Sequence, residues 1–384
     1  METKSKSSDE RIFFPNLDGF RFLSFLIVFM LHGFAEVINN HEVNGFILTT
    51  LKIAIFQSGQ LGVSFFFVLS GFLITYLIFA ERIKIGKFDM KAFYIRRSLR
   101  IFPLYFAFMV LIFVILPLFI EIKLPNPYYY FFFLSNFDVI NTNGAGIDIL
   151  NISWSVSVEE QFYLAWAVLF AILTPRYYLY LFLTIIITSA LFRWTNSGNS
   201  YVANFHTFSV MSELAIGGLT AYLVTYSSKF KNFIEDLPQW VIFSTYCLII
   251  PMLMFSRFFY LYTTFGRILL GLGIAFIITE QNYSNNSFYK MKNFKMISSL
   301  GKYTYGLYLL HPLVIFFISL ATLKIGLDSK SLFEGSMIGI FSLFMSILVC
   351  YLSYWYFEYP FLKLKSRFAY LKTYQTNYKD NAVE

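Results

Sequence analysis

The feature that most constrains this chain is its series of apolar runs of membrane length. A helix needs about 20 mainly apolar residues to cross the hydrocarbon core of a bilayer. Ten such segments can be read, at roughly 20–38, 61–80, 101–120, 154–174, 177–193, 206–226, 239–256, 263–279, 303–321 and 336–357. Backbone groups in hydrocarbon must be satisfied within the segment, so these runs predict an all-α polytopic membrane protein with about ten transmembrane helices. The composition agrees, with 57% hydrophobic, 21% aromatic and only 14% charged residues, where a soluble domain has about a quarter charged. Disordered, fibrous and disulfide-scaffold classes are excluded. The run Tyr128–Asn136 (YYYFFFLSN) is too short to cross and reads as re-entrant or interfacial.

An even number of spans puts both termini on one side, and the basic residues choose it. With the N-terminus inside, the inner segments carry 23 of the 30 Lys and Arg, which predicts two cytoplasmic termini. The net charge of +8 then reports topology, and no nucleic-acid partner is expected. Residues 1–16 read as a cytoplasmic segment, 17–360 as one membrane-embedded domain and 361–384 as a basic, polar cytoplasmic tail. No cleavable signal peptide pattern and no internal repeat is visible. Cys247 and Cys350 lie in apolar runs and read as small core residues. With no HExxH, Cys cluster, P-loop or GxGxxG, no metal or nucleotide cofactor is expected.

Ionisable residues at membrane depth are costly, which makes each a functional candidate. Arg21 and His32 are eleven residues apart, so on one helix they share a face about 16 Å apart. That stripe carries a cation at the cytoplasmic surface and an imidazole near mid-bilayer; a snorkelling arginine and a packing histidine carry equal weight. In ERIKIGKFDMKAFYIRRSLRIFPLY, Arg97 and Arg100 are three apart at a helix start and could grip a phosphate, although a topology determinant also explains them. Pro103 fits the first helical turn. In WSVSVEEQFYLAW, Ser157 and Glu160 match a capping box. The second carboxylate of the Glu159–Glu160 pair exceeds what a cap requires, and one of the two could orient His32. In GVSFFFVLSGFLITYL, Gly62, Ser70 and Gly71 read as small residues for close helix approach. In LGKYTYGLYLLHP, His311 either lines a cavity or satisfies carbonyls freed by Pro312. His41 and His206 read as solvated near the outer surface.

In order and spacing, LDGFRFLSFLIVFMLHG, GVSFFFVLSGFLITY, FYIRRSLRIFPLYF, WSVSVEEQFYLAW and LGKYTYGLYLLHP resemble the motifs of the acyltransferase 3 family. These are integral membrane O-acyltransferases found widely in bacteria, and the likeness runs from about Leu17 to Pro360. The family's arginine, separated by ten residues from a membrane histidine, falls on Arg21 and His32. Its paired-arginine motif falls on Arg97 and Arg100, and its Ser-x-x-Glu motif on Ser157 and Glu160. Ser64 departs from the pattern, since many members carry Asp there. The chain resembles the stand-alone form without an extracytoplasmic esterase-like domain.

The resemblance implies transfer of an acyl group, most often acetyl, from cytoplasmic acyl-coenzyme A, a co-substrate rather than a bound cofactor. The donor's phosphates would lie on Arg97, Arg100 and Arg21, and its pantetheine arm would run towards His32 as general base. Glu160 or Glu159 would hold the imidazole, with His311 and Ser157 lining the cavity. Direct transfer and an acyl-histidine intermediate both stay open. The implied acceptor is a cell-envelope glycan or a lipid-linked sugar, at the bacterial cytoplasmic membrane. The aromatic-rich outer faces leave room for a homo-oligomer. A proton-coupled secondary transporter or a flippase of a lipid-linked sugar is the competing reading, because it too would bury ionisable groups.

Overall fold

The computed structural model describes residues 14–41, 45, 49–50, 52, 55, 58–256 and 263–369. All regular secondary structure among them is helical. The long helices are α1 (Pro15–Gly33), α2 (Gly59–Ile85), α3 (Met90–Val110), α4 (Ser153–Ile172) and α5 (Tyr178–Thr195). They continue as α6 (Thr207–Tyr226), α7 (Gln239–Met254), α8 (Gly266–Tyr283), α9 (Thr304–Lys324) and α10 (Leu332–Ser353). A π turn, Tyr354–Glu358, joins α10 to the short α11 (Tyr359–Lys365).

Helices therefore lie at each of the ten positions read from the sequence, but fewer are membrane spans by length and composition. Six stretches qualify alone: Gly59–Ile85, Met90–Leu118, Pro175–Thr195, Ser200–Tyr226, Lys295–Lys324 and Leu332–Phe368. The pair Ser228–Glu235 and Gln239–Met254, bent by 92°, would make a seventh. The remaining long helices carry polar groups that lower their hydropathy: Asp18 and Arg21 in α1, Glu159 and Glu160 in α4, Arg267 and Glu280 in α8. In α8 these groups meet other helices, Arg267 pairing with Glu213 of α6 and Glu280 accepting from Tyr246 of α7.

Several local readings change. Asp89 caps α3, accepting from the Ala92 N–H at 2.9 Å, so the helix starts well before 101 and Pro103 lies in its interior. Helix α4 starts at Ser153 behind a short helical lead-in, Asp148–Asn151. Ser157 and Glu160 thus sit a turn inside and form no capping box; the Ser157 hydroxyl pairs with that of Ser135 at 2.8 Å. The Tyr128–Asn136 run is split between the helices Pro127–Phe131 and Ser135–Asn141, with Phe133 at φ 55° between them. Cys247 is exposed, not core, whereas Cys350 is buried.

Small residues set the packing at the centre. A Cβ on Gly71 would collide with the Leu214 carbonyl, and one on Gly217 with the Val68 carbonyl, so α2 and α6 touch backbone to backbone. This is the close approach that glycine allows between apolar helices, where van der Waals packing supplies the attraction. A Cβ on Gly62 would likewise meet the Ser24 carbonyl of α1. With α1 and α6 held on α2, the polar stretches of α1, α3 and α4 come together beside it.

Candidate active site

Residues of α1, α2, α3, α4, α9 and α11 enclose a cavity of about 240 Å³. It follows α2 from Val63 to Leu77, about 21 Å of helix, and so is long and narrow. Four cations line it: Arg21 from α1, Arg97 and Arg100 from α3, and Lys365 from α11. Arg21 is ion-paired with Asp18 one turn earlier. Arg97 lies over the rings of Phe93 and Tyr163, at 5.8 and 5.6 Å, a cation–π arrangement that orients the guanidinium and leaves its N–H groups open. Among the described residues, Arg97, Arg100 and Lys365 have no hydrogen bond or ion pair. Arg96 is different: it pairs with buried Glu81 at 2.6 Å and donates to the Phe368 carbonyl. The fold supplies a carboxylate to Arg96 and to Arg21 but, among the described residues, pairs none with Arg97, Arg100 or Lys365. Like charges gathered this way repel unless an anion joins them, and guanidinium forks match phosphate oxygens.

Part of the lining is a chain of hydroxyls ending on a carboxylate. Tyr163 donates to Glu159 at 2.7 Å and is also bonded to Ser70. Ser70 therefore does more than permit close packing. Ser155 and Tyr308 pair at 2.7 Å further along the lining.

The histidines occupy a separate place. His32 is in the last turn of α1, half-buried, and is not part of the lining. The helix from Arg21 to His32 is unbroken, which gives the axial rise of about 16 Å. His32 stands beside His311, with ring centroids 5.4 Å apart. His311 is completely buried one turn beyond Tyr308, and its Nδ1 lies 3.0 and 2.9 Å from the carbonyls of Leu307 and Tyr308. Neither glutamate hydrogen-bonds His32 among the described residues: Glu159 is bonded to Tyr163, and the enclosed Oε1 of Glu160 has no partner.

Of the residues singled out in the sequence, Arg21, Arg97, Arg100 and Glu159 surround the cavity. His311 and Ser157, expected to line it, do not: both are fully buried behind it. The helical turn explains Ser157, since Ser155 and Glu159 are four apart on the cavity face and position 157 points about 200° away from 155. Lys365, Tyr163, Ser70 and Tyr308 were missed. Residues 361–365 read as part of a polar tail, but form α11 and pack on α3. The apolar Phe361 and Leu362 before Lys363, with Leu364 between the two lysines, were the available signal.

A second buried cluster lies apart from the cavity. Arg267 and Glu213 form an ion pair at 3.1 Å, both almost fully enclosed. Ser64 donates to the same Glu213 oxygen at 2.9 Å, and Arg267 also donates to Asn204 at 2.9 Å. Arg193 donates nearby to Ser189, Ser212 and the Thr264 carbonyl, at 2.8, 3.0 and 2.8 Å. Ser64 thus serves as a donor to a carboxylate, a role an ionised aspartate could not fill beside Glu213.

His206 is not simply solvated either: its Nδ1 accepts from the Phe208 N–H at 3.1 Å and caps α6.

The chain is similar to known proteins over most of its length. Residues 14–355 match the profile of the acyltransferase 3 family, described as an acyltransferase domain. The O-acetyltransferase OatA of Staphylococcus aureus strain NCTC 8325 is 27% identical over 353 residues, covering 82% of this chain and 54% of the relative. A second S. aureus protein, of strain COL, carries a provisional O-acetyltransferase name and is 27% identical over 381 residues, covering 91% of this chain and 58% of its own. The chain thus spans little more than half the length of the curated relatives it matches. No solved structure matches it. With the family profile extending over α1 to α10, this chain belongs to the acyltransferase 3 family.

Proposed function

We propose that the protein is a multi-pass enzyme of the bacterial cytoplasmic membrane that moves an acyl group, acetyl in the first instance, from acyl-coenzyme A to a hydroxyl of a cell-envelope glycan or lipid-linked sugar. In this reading all ten long helices are embedded and both termini are cytoplasmic. The observation that carries it is the cavity with three cations whose donors are open, Arg97, Arg100 and Lys365, joined by Arg21. A coenzyme A head brings several phosphate charges, and its pantetheine arm is a thin, extended chain suited to a narrow cavity. Glu159 offsets part of the cationic charge and is held in place by Tyr163. The names of the relatives support acetyl as the group transferred.

His32 is the base. As the acceptor oxygen bonds to the thioester carbonyl carbon, its proton passes to His32; the C–S bond then breaks, and the departing thiolate takes that proton. A cytoplasmic donor site at Arg21 and a base about 16 Å along the same helix separate the charged head from the reacting thioester.

The test is mass spectrometry of envelope glycans from cells carrying the wild-type gene, a deletion and the His32→Ala allele, followed by labelled acetyl-coenzyme A on isolated membranes. One acetyl per repeat, lost in both mutants, is the expected result. Identical glycans in all three strains together with no label transfer would refute the reading and favour a carrier.

A further inference from the structure

We infer that His311 is the positioning residue for His32, the role that the sequence pattern suggested for a glutamate. The inference rests on the reading of His32 as base, and the histidine geometry carries it. Pro312 has no N–H, so in α9 the carbonyl of Tyr308, four residues back, loses its helical partner. The ring nitrogen Nδ1 of His311 lies 2.9 Å from that carbonyl and 3.0 Å from the Leu307 carbonyl. A carbonyl accepts only, so Nδ1 must carry the proton and Nε2 is a bare lone pair in the neutral ring. That lone pair is completely buried and, among the described residues, has no partner. An unsatisfied buried acceptor keeps its full desolvation penalty, which a donor would recover.

The donor at hand is His32. Its ring centroid is 5.4 Å from that of His311. Two imidazoles joined N–H to N at about 3 Å have centroids slightly more than about 5 Å apart, so a turn of the His32 ring closes the bond with almost no translation. Phe25 and Phe29 pack on His311 from α1, at 5.6 and 6.0 Å between centroids, and hold it against the helix that carries His32. Once made, the bond fixes one nitrogen of His32 as donor to His311 and leaves the other as the base. When His32 takes the hydroxyl proton, the resulting imidazolium still donates to the His311 lone pair, and the proton leaves with the thiolate. No extra co-reactant is needed.

Two side chains separate this role from a structural one. Asparagine at 311 places an amide near the position of Nδ1 and keeps the carbonyl contact, whereas glutamine reaches the position of Nε2 and restores an acceptor. The expected result is that His311→Asn lowers kcat by on the order of 10²–10⁴-fold, as loss of an imidazole-orienting partner does. KM for acetyl-coenzyme A should stay near wild type, and His311→Gln should recover much of the rate. Equal activity of wild type and His311→Asn, or equal loss in both variants with normal folding, would overturn the inference. A second measurement needs neither turnover nor the variants at 311: ¹⁵N spectra of histidine-labelled protein with His41→Gln and His206→Asn, which leaves two rings. One ring protonated at Nδ1 with a hydrogen-bonded Nε2 is expected; an Nε2–H tautomer for His311 refutes the proposal. If wild-type protein transfers no acetyl at all, the reading of the enzyme fails, and the ¹⁵N spectrum still decides the histidine pair.

Discussion

Replacing Arg100 by alanine tests the donor site most cleanly. Arg100 has no protein partner among the described residues and stands in a cavity shared with Arg21, Arg97 and Lys365. Its removal breaks no hydrogen bond or ion pair among the described residues, and the relief of repulsion from Arg21 and Arg97 is offset by the loss of attraction to Glu159 and Glu358, so the thermal midpoint of solubilised protein should change little. Binding should respond differently. One charge-assisted hydrogen bond to phosphate is worth about 1.5–3 kcal/mol, and about 1.4 kcal/mol is tenfold in affinity, so the donor Kd should rise about 10- to 100-fold. The assay is equilibrium titration of wild type and Arg100→Ala in nanodiscs with two ligands, coenzyme A and pantetheine, the second lacking every phosphate. The four affinities form a thermodynamic cycle that isolates the arginine–phosphate contribution. Wild type should discriminate strongly between the ligands, and the variant should lose about 10- to 100-fold of that discrimination. If Arg100→Ala weakens pantetheine as much as coenzyme A, or neither, the phosphate assignment is wrong.

Lys365→Ala should weaken coenzyme A binding in the same titration and leave pantetheine unaffected; an unchanged coenzyme A affinity would remove α11 from the donor site. His32→Ala should abolish acetyl transfer to the glycan with an unchanged Kd for coenzyme A, because His32 is not part of the cavity lining; detectable turnover by mass spectrometry would exclude it as base. Glu213→Ala leaves Arg267, only 2% exposed, without its carboxylate, and breaking a buried pair in this way costs about 3–5 kcal/mol. A thermal midpoint equal to wild type would contradict that. Gly71→Ala drives a methyl group into the Leu214 carbonyl and should destabilise the α2–α6 contact by about 1–3 kcal/mol, read as a lower midpoint and lower yield in membranes.

The apolar runs were sufficient to locate every long helix among the described residues, because a helix satisfies its backbone groups within its own segment, a local demand. The motif spacings likewise carried Arg21 and His32 on one unbroken helix and Arg97 with Arg100 on one face, since helical periodicity is local too. Helix ends were less legible. Asp89 starts α3 eleven residues ahead of Ile101 through a single cap, and the lead-in at Asp148–Asn151 turns an apparent capping box into mid-helix residues. What no local pattern could decide is which faces meet. Glu159 and Glu160 are neighbours in sequence, yet the packing of α4 gives one to the cavity and encloses an oxygen of the other with no partner among the described residues. Lys365 joins Arg97 and Arg100 only because α11, the continuation of α10, packs on α3, more than 260 residues earlier in the chain. His32 meets His311 only because α1 and α9 pack together. A helix records in its sequence what it needs from water and lipid; its partner across the bundle is chosen by shape and charge summed over all the helices at once.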